Sequence, residues 1–211
     1  MATVSQICDM LAQSIPMPAG EVRKYARELI NSGDLPKAIG RAVPQADMRD
    51  RAKLVLAIAA SERPSGCVQA MRDRYSARDR SRGDARPAGE VLADQLAQLA
   101  ACSVDAFQLW NYSDLEVSRG GLPRVKFRVN EIVRHFEGFK DVDQPEFLGG
   151  YFNASAGNLT DEIAAFHKAK SGFAVSAFIP GSVLIDLAFG SREQANAATA
   201  LIATKTVSPD A

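Results

Sequence analysis

The hydrophobic pattern of this chain changes period, and that change limits the folds open to it. From Val4 to Trp110 apolar residues recur mostly at helical spacing; from Leu115 to Val129 they alternate at every second position. The first period belongs to amphipathic helices and the second to strands with one buried face. Helices first, then strands and further helices, predicts an α+β protein: an N-terminal three- to four-helix module, helix-turn-helix-like or winged-helix-like, followed by a mixed domain with antiparallel strands and helices.

Local signals fix where the front helices begin and end. Thr3-Val4-Ser5-Gln6 matches a capping box, and Val4, Ile7, Cys8, Leu11 and Ile15 form the apolar stripe of a helix over 4–15. Pro16 and Pro18 stop it. A second helix spans about Ala19 to Asn31, with Val22, Tyr25, Ala26, Leu29 and Ile30 facing a core and Gly33 as the left-handed stop. Asp47 caps a third helix over 48–61, whose wide apolar arc (Met48, Ala52, Val55 and Ala59, broadened by Leu54, Leu56 and Ile58) makes it largely buried. Val68, Met71 and Tyr75 mark a short fourth helix ending near Ser76. Residues 1–75 are therefore expected to form one small bundle.

The polar side of the second helix carries Arg23, Lys24, Arg27 and Asn31, and the loop after it carries Lys37 and Arg41. A helix of this kind suits the major groove of double-stranded DNA, with a loop touching backbone phosphates. Arg reads guanine and Asn reads adenine through paired hydrogen bonds. The six residues are the candidate DNA contacts. Glu21 and Glu28 share the helix's polar side, and an ordinary solvated surface of a plain bundle has the same composition.

The stretch GEVRKYARELINSGDLPKAIGRAVPQADMRDRAKLVLAIAAS, residues 20–61, resembles the N-terminal helical module of small phage- and prophage-associated bacterial proteins. The shared order is a basic helix, an LP loop with Gly and Arg, and an apolar helix rich in Leu and Ala. At that coarse level it is similar to helix-turn-helix regulators. The resemblance implies a nucleic-acid-facing or phage-related role and assigns no catalytic residue.

Residues 72–86 hold six Arg and three Asp with almost no apolar residue. That composition predicts a solvated linker over 76–89 and a domain boundary, or else an arm that contacts phosphates. Beyond it, 90–211 is expected to be an oligomerisation or partner-binding domain. It opens with a helical pattern from Glu90 to about Tyr112, either one helix or two pieces broken and capped at Ser103, then strands with Leu115, Val117, Val125, Phe127 and Val129 on one face. Arg124, Lys126 and Arg128 line the other face, with Gly120-Gly121 as the turn. Further elements follow: a short one at 131–137, a long Gly-rich loop, a helix from Thr160 to about Lys170, a strand in FAVSAFI and a last helix capped by Ser191 and Gln194. The run 183–189, VLIDLAF, reads as strand or helix, with a slight lean to strand, because a continuous apolar run has no period.

Charge divides along the same line. Residues 1–88 carry 15 Lys and Arg against 10 Asp and Glu, a net of +5, and 89–211 carry the reverse. A basic end that meets a polyanion would give this asymmetry, and so would ordinary variation, since five charges either way is modest for halves of about a hundred residues. Cys8, Cys67 and Cys102 are odd in number and lie in apolar or helical contexts, which fits reduced thiols in the cytoplasm. No run approaches the ~18 apolar residues of a membrane span, and MATVSQICDM lacks a secretory pattern. The histidines, His135 and His167, have no partner at metal-ligand spacing, and no Walker loop, dinucleotide fingerprint, nucleophile elbow or HExxH is present. The expectation is a phage-type DNA-binding transcriptional regulator, not an enzyme, with no catalytic residue, metal or cofactor. Its partners would be double-stranded DNA, further copies of itself and a possible protein bound by the C-terminal domain. The alternative is a phage assembly or DNA-packaging component, docking protein or DNA within a multimer.

Overall fold

A computed structural model of the chain describes residues 2–38, 42–79, 84–101, 114–119, 123–129, 132–137, 176–190, 193–198 and 200. The front helices start and stop where their end signals stand. Helix α1 is Val4–Ser14. The Gln6 amide donates to Thr3 Oγ1 and the Thr3 amide donates to Gln6 Oε1, at 3.3 and 2.9 Å, which completes the capping box. Helix α2 is Ala19–Asn31, opened by the Pro18 carbonyl. Helix α3, Met48–Ala60, starts with a second box in which Asp47 and Asp50 accept from each other's amides at 2.8 and 3.1 Å. Helix α4 is Cys67–Tyr75. Two short strands, β1 (Ala2–Thr3) and β2 (Gln45–Ala46), pair antiparallel and tie the start of α1 to the start of α3.

Beyond α4 come β3 (Arg78–Asp79), β4 (Asp84–Pro87), α5 (Ala88–Ala100), β5 (Asp114–Ser118), β6 (Arg124–Val129), β7 (Ile132–Glu137), β8 (Ser176–Pro180) and α6 (Gly181–Phe189). Residues 193–198 are helical again. The later strands form one antiparallel sheet in the order β4-β3-β7-β6-β5-β8. Leu115 pairs with Phe127 and Ile179, and Val117 with Val125 and Ala177. Of these, Leu115, Val117, Val125, Phe127 and Ile179 are buried, and α3 packs against β5 and β8. The helices thus cover one face of the sheet, giving the expected α+β fold with N-terminal helices.

Two expectations are corrected. Residues 183–189 are helix, not strand. Pro180 fixes the chain at the helix start, Gly190 (φ 78°) closes it in the left-handed conformation, and neighbours on several sides remove any polar stripe. The segment 76–89 is not a plain linker either, since it supplies β3 and β4 to the sheet edge. Those strands are held by main-chain pairing, with Arg78 opposite both Pro87 and Glu137, and that pairing needs no apolar side chain.

Nor does the core break there. A single apolar cluster runs from Ala2 through Leu96 and Leu115 to Ala195. Helix α3 is its axis, packed against α2, α4, α5, α6, β5 and β8. Polar ties cross the same boundary. Arg51 Nη1 donates to the Leu187 and Ala188 carbonyls at 2.7 and 2.6 Å. Arg119 Nε donates to the Ala59 carbonyl at 2.9 Å, and Arg74 Nε to the Ser118 carbonyl at 3.0 Å. Helix α5 ends at Ala100, short of Tyr112 and close to the break expected at Ser103; residues 102–112, the Gly120-Gly121 turn, the long loop and the 160–170 helix lie outside the described residues.

Candidate nucleic-acid interface

Helix α2 is two-sided because its sequence is. Val22, Tyr25, Ala26 and Leu29 are buried, while Arg23, Lys24, Arg27 and Asn31 are exposed. Positions 23 and 24 lie four and three residues before 27, and 31 lies four after it, so the four form one continuous face. Tyr25 pins the inner face by donating from its hydroxyl to the Ser61 carbonyl at 2.9 Å. At the far end Gly33, with φ 78°, completes a Schellman turn. The Gly33 amide donates to the Ile30 carbonyl and the Asp34 amide to the Leu29 carbonyl, at 3.2 and 2.8 Å.

The basic residues of this face are not equally free. Arg23 Nη2 lies 2.5 Å from Asp9 Oδ1 on α1, and Lys24 Nζ lies 2.6 Å from Glu21 Oε1 one turn back. All four side chains are half exposed, and pairs of this kind contribute only ~0–1 kcal/mol. Arg27 has no ion-pair partner among the described residues. Lys37 is exposed on the segment beyond Gly33, and Arg41 lies outside the described residues. The structure therefore brings Arg23, Lys24, Arg27 and Asn31 onto one surface, with Lys37 following in the loop.

Sequence reading missed the clamp that holds this helix end. Arg72 on α4 reaches Asp34 through Nε (3.3 and 3.2 Å) and Nη2 (2.8 Å). Ser32 Oγ donates to the same carboxylate at 2.6 Å, and Lys53 Nζ donates to the Asp34 carbonyl at 2.9 Å. Burial pushes the Asp34 carboxyl up, but the hydrogen bonds from Arg72 and Ser32 and the charges of Arg72 and Lys53 outweigh it. Its pKa is held below the ordinary value. The Ser-Gly-Asp spacing after the helix was the available signal; the distant Arg72 was not foreseeable.

A second unforeseen group joins α3, α4 and α5. The Tyr75 hydroxyl donates to Glu90 Oε1 at 2.8 Å and Arg49 Nε donates to Glu90 Oε2 at 2.9 Å. Burial, reinforced by the bond to Glu90, raises the Tyr75 pKa. Burial also pushes the Cys8 and Cys67 thiols up to about 11, so both are neutral near pH 7. Among the described residues no cluster of His, Cys, Asp or Glu is arranged to hold a metal ion, and no helix is long and apolar enough to cross a membrane.

Chemically, the α2 surface offers fork-shaped donors, an ammonium and an amide on a rigid support. Such groups form hydrogen bonds with phosphate oxygens and base edges in protein–DNA complexes. No protein family, curated protein or solved structure matches this chain.

Proposed function

We propose that the protein binds double-stranded DNA through the exposed face of α2 and acts as a transcriptional regulator of the phage type that residues 20–61 resemble. One observation carries the reading: Arg23, Lys24, Arg27 and Asn31 share a single exposed face of a helix whose opposite face is buried. Arg27 is the primary phosphate or base contact, because no carboxylate competes for it among the described residues. Lys37 and Arg41 then add contacts to the backbone from the loop. The role is binding, not catalysis, and cytoplasmic, where Cys8 and Cys67 stay reduced.

The test is fluorescence anisotropy with genomic and random duplexes over a salt series. A regulator binds selected sites on the order of a thousandfold or more above random DNA. Arg27→Ala is expected to weaken binding by ~1–3 kcal/mol if it reads a base, or to flatten the salt slope by about one unit if it holds a phosphate. Unchanged affinity in that variant, or no binding by the parent protein, refutes the reading.

A second reading, a subunit of a phage assembly, has one observation in its favour. Strand β8 ends the described sheet and carries Phe178, which is 57 % exposed. A subunit of that kind forms defined multimers in sedimentation experiments and shows no preference among DNA sequences.

A further inference from the structure

We infer that Asp9 sets how strongly, and with what salt dependence, the α2 face takes a polyanion; this rests on the DNA-binding reading above. Asp9 lies in the middle of α1, half exposed, with Oδ1 2.5 Å from Arg23 Nη2 on the neighbouring helix. It has no capping duty, since Thr3 and Gln6 close the start of α1. Glu21, which pairs with Lys24, is different. It stands in the first turn of α2, where a carboxylate complements the helix dipole, so its place has a local reason.

The consequence follows from charge alone. A phosphate that approaches Arg23 must displace Asp9 and then lie beside the displaced carboxylate. The exposed pair is weak enough for that exchange to occur, yet it lowers affinity for every polyanion alike. Asp9 therefore sets the overall affinity and its salt dependence, and leaves the ratio between DNA sequences unchanged where Arg23 holds a phosphate. Arg27 stays outside this control because Asp9 is paired to Arg23.

The alternative role for Asp9 is a staple between α1 and α2, and the two roles give different readouts. Binding of a random 30-base-pair duplex is measured from about 50 to 300 mM salt for wild type, Asp9→Asn, Arg23→Ala and the double variant, with thermal unfolding of each. Asp9→Asn is expected to bind about two- to fivefold tighter at moderate salt, with a slope steeper by about one unit. The gain should disappear in the Arg23→Ala background, where there is no guanidinium to release. If Asp9 is only a staple, Asp9→Asn lowers Tm and leaves affinity unchanged, and the inference fails while DNA binding stands. If none of the four proteins binds at any salt, the inference falls together with the DNA-binding reading.

Discussion

Arginine does two opposite jobs in this chain, and the identity of the residue does not reveal which. Arg27 stands exposed, whereas Arg51 is 3 % exposed and spends Nη1 on two carbonyls at the end of α6. Helix ends leave carbonyls without internal partners, and a buried guanidinium there satisfies what water cannot. Burial lowers the Arg51 pKa, but an arginine remains charged at any physiological pH. Arg51→Met is expected to destabilise the fold by ~2–4 kcal/mol in urea denaturation, because two buried carbonyls lose their donor. Arg51→Lys should recover only part of that, since an ammonium on a flexible stem does not reproduce the fork. A loss under about 0.5 kcal/mol for Arg51→Met would show that the contact is incidental. In the sequence Arg51 was hidden: it lies between Met48 and Val55 on the buried arc but reads as one more surface cation.

At the scale of elements, what was readable was local. Thr3 with Gln6, Asp47 at the start of α3 and Gly33 after α2 act within a few residues of themselves, and each helix end fell where they placed it. The same holds for Leu115, Val117, Val125 and Phe127, whose alternation put them on the buried face of the sheet. What was not readable depends on distant partners: VLIDLAF is helical because of what surrounds it, and β3 and β4 exist because β7 accepts them. The exposed face of α2 was legible as a pattern, but Asp9, the partner that neutralises Arg23, lies on another helix.

The Asp34 clamp gives this scale a pH signature. Its pKa is depressed in the folded state, so its contribution to stability is complete above the unfolded value of ~3.9 and is lost as pH falls through the lower folded value. Asp34→Asn should therefore be less stable than wild type at pH 7, with the gap closing below about pH 4. Chemical denaturation at pH 7, 5 and 3.5 measures this. A gap that is the same at every pH would mean the carboxylate charge is irrelevant and the side chain acts by shape.

For the molecule as a whole, the shared core decides what can be separated. Helices α5 and α6 bury Leu92, Leu96, Leu99, Leu184 and Leu187, and their neighbours include α1 and α3. Ser14 on α1 donates to Asp186 on α6 at 2.7 Å, and Arg49 on α3 pairs with Glu90 on α5. A fragment of residues 88–211 accordingly lacks one wall of its core. It is expected to show no cooperative thermal transition by circular dichroism, and mixing with 1–87 should restore one. A sharp transition in the isolated fragment would show that the C-terminal part folds by itself.

The tie from Arg51 to Leu187 also fixes an order of events in time. The two residues are 136 positions apart. At ~5–20 residues per second, a ribosome that has just made α3 needs on the order of ten seconds more to make α6. Throughout that interval the most extensively buried helix of the front has been synthesised but lacks one of its native coverings. The lifetime of that unfinished surface is set by elongation speed, not by the stability of the completed fold. Slower translation lengthens the period in which nascent chains can stick to one another, so the yield of native protein depends on how fast the stretch between α3 and α6 is read.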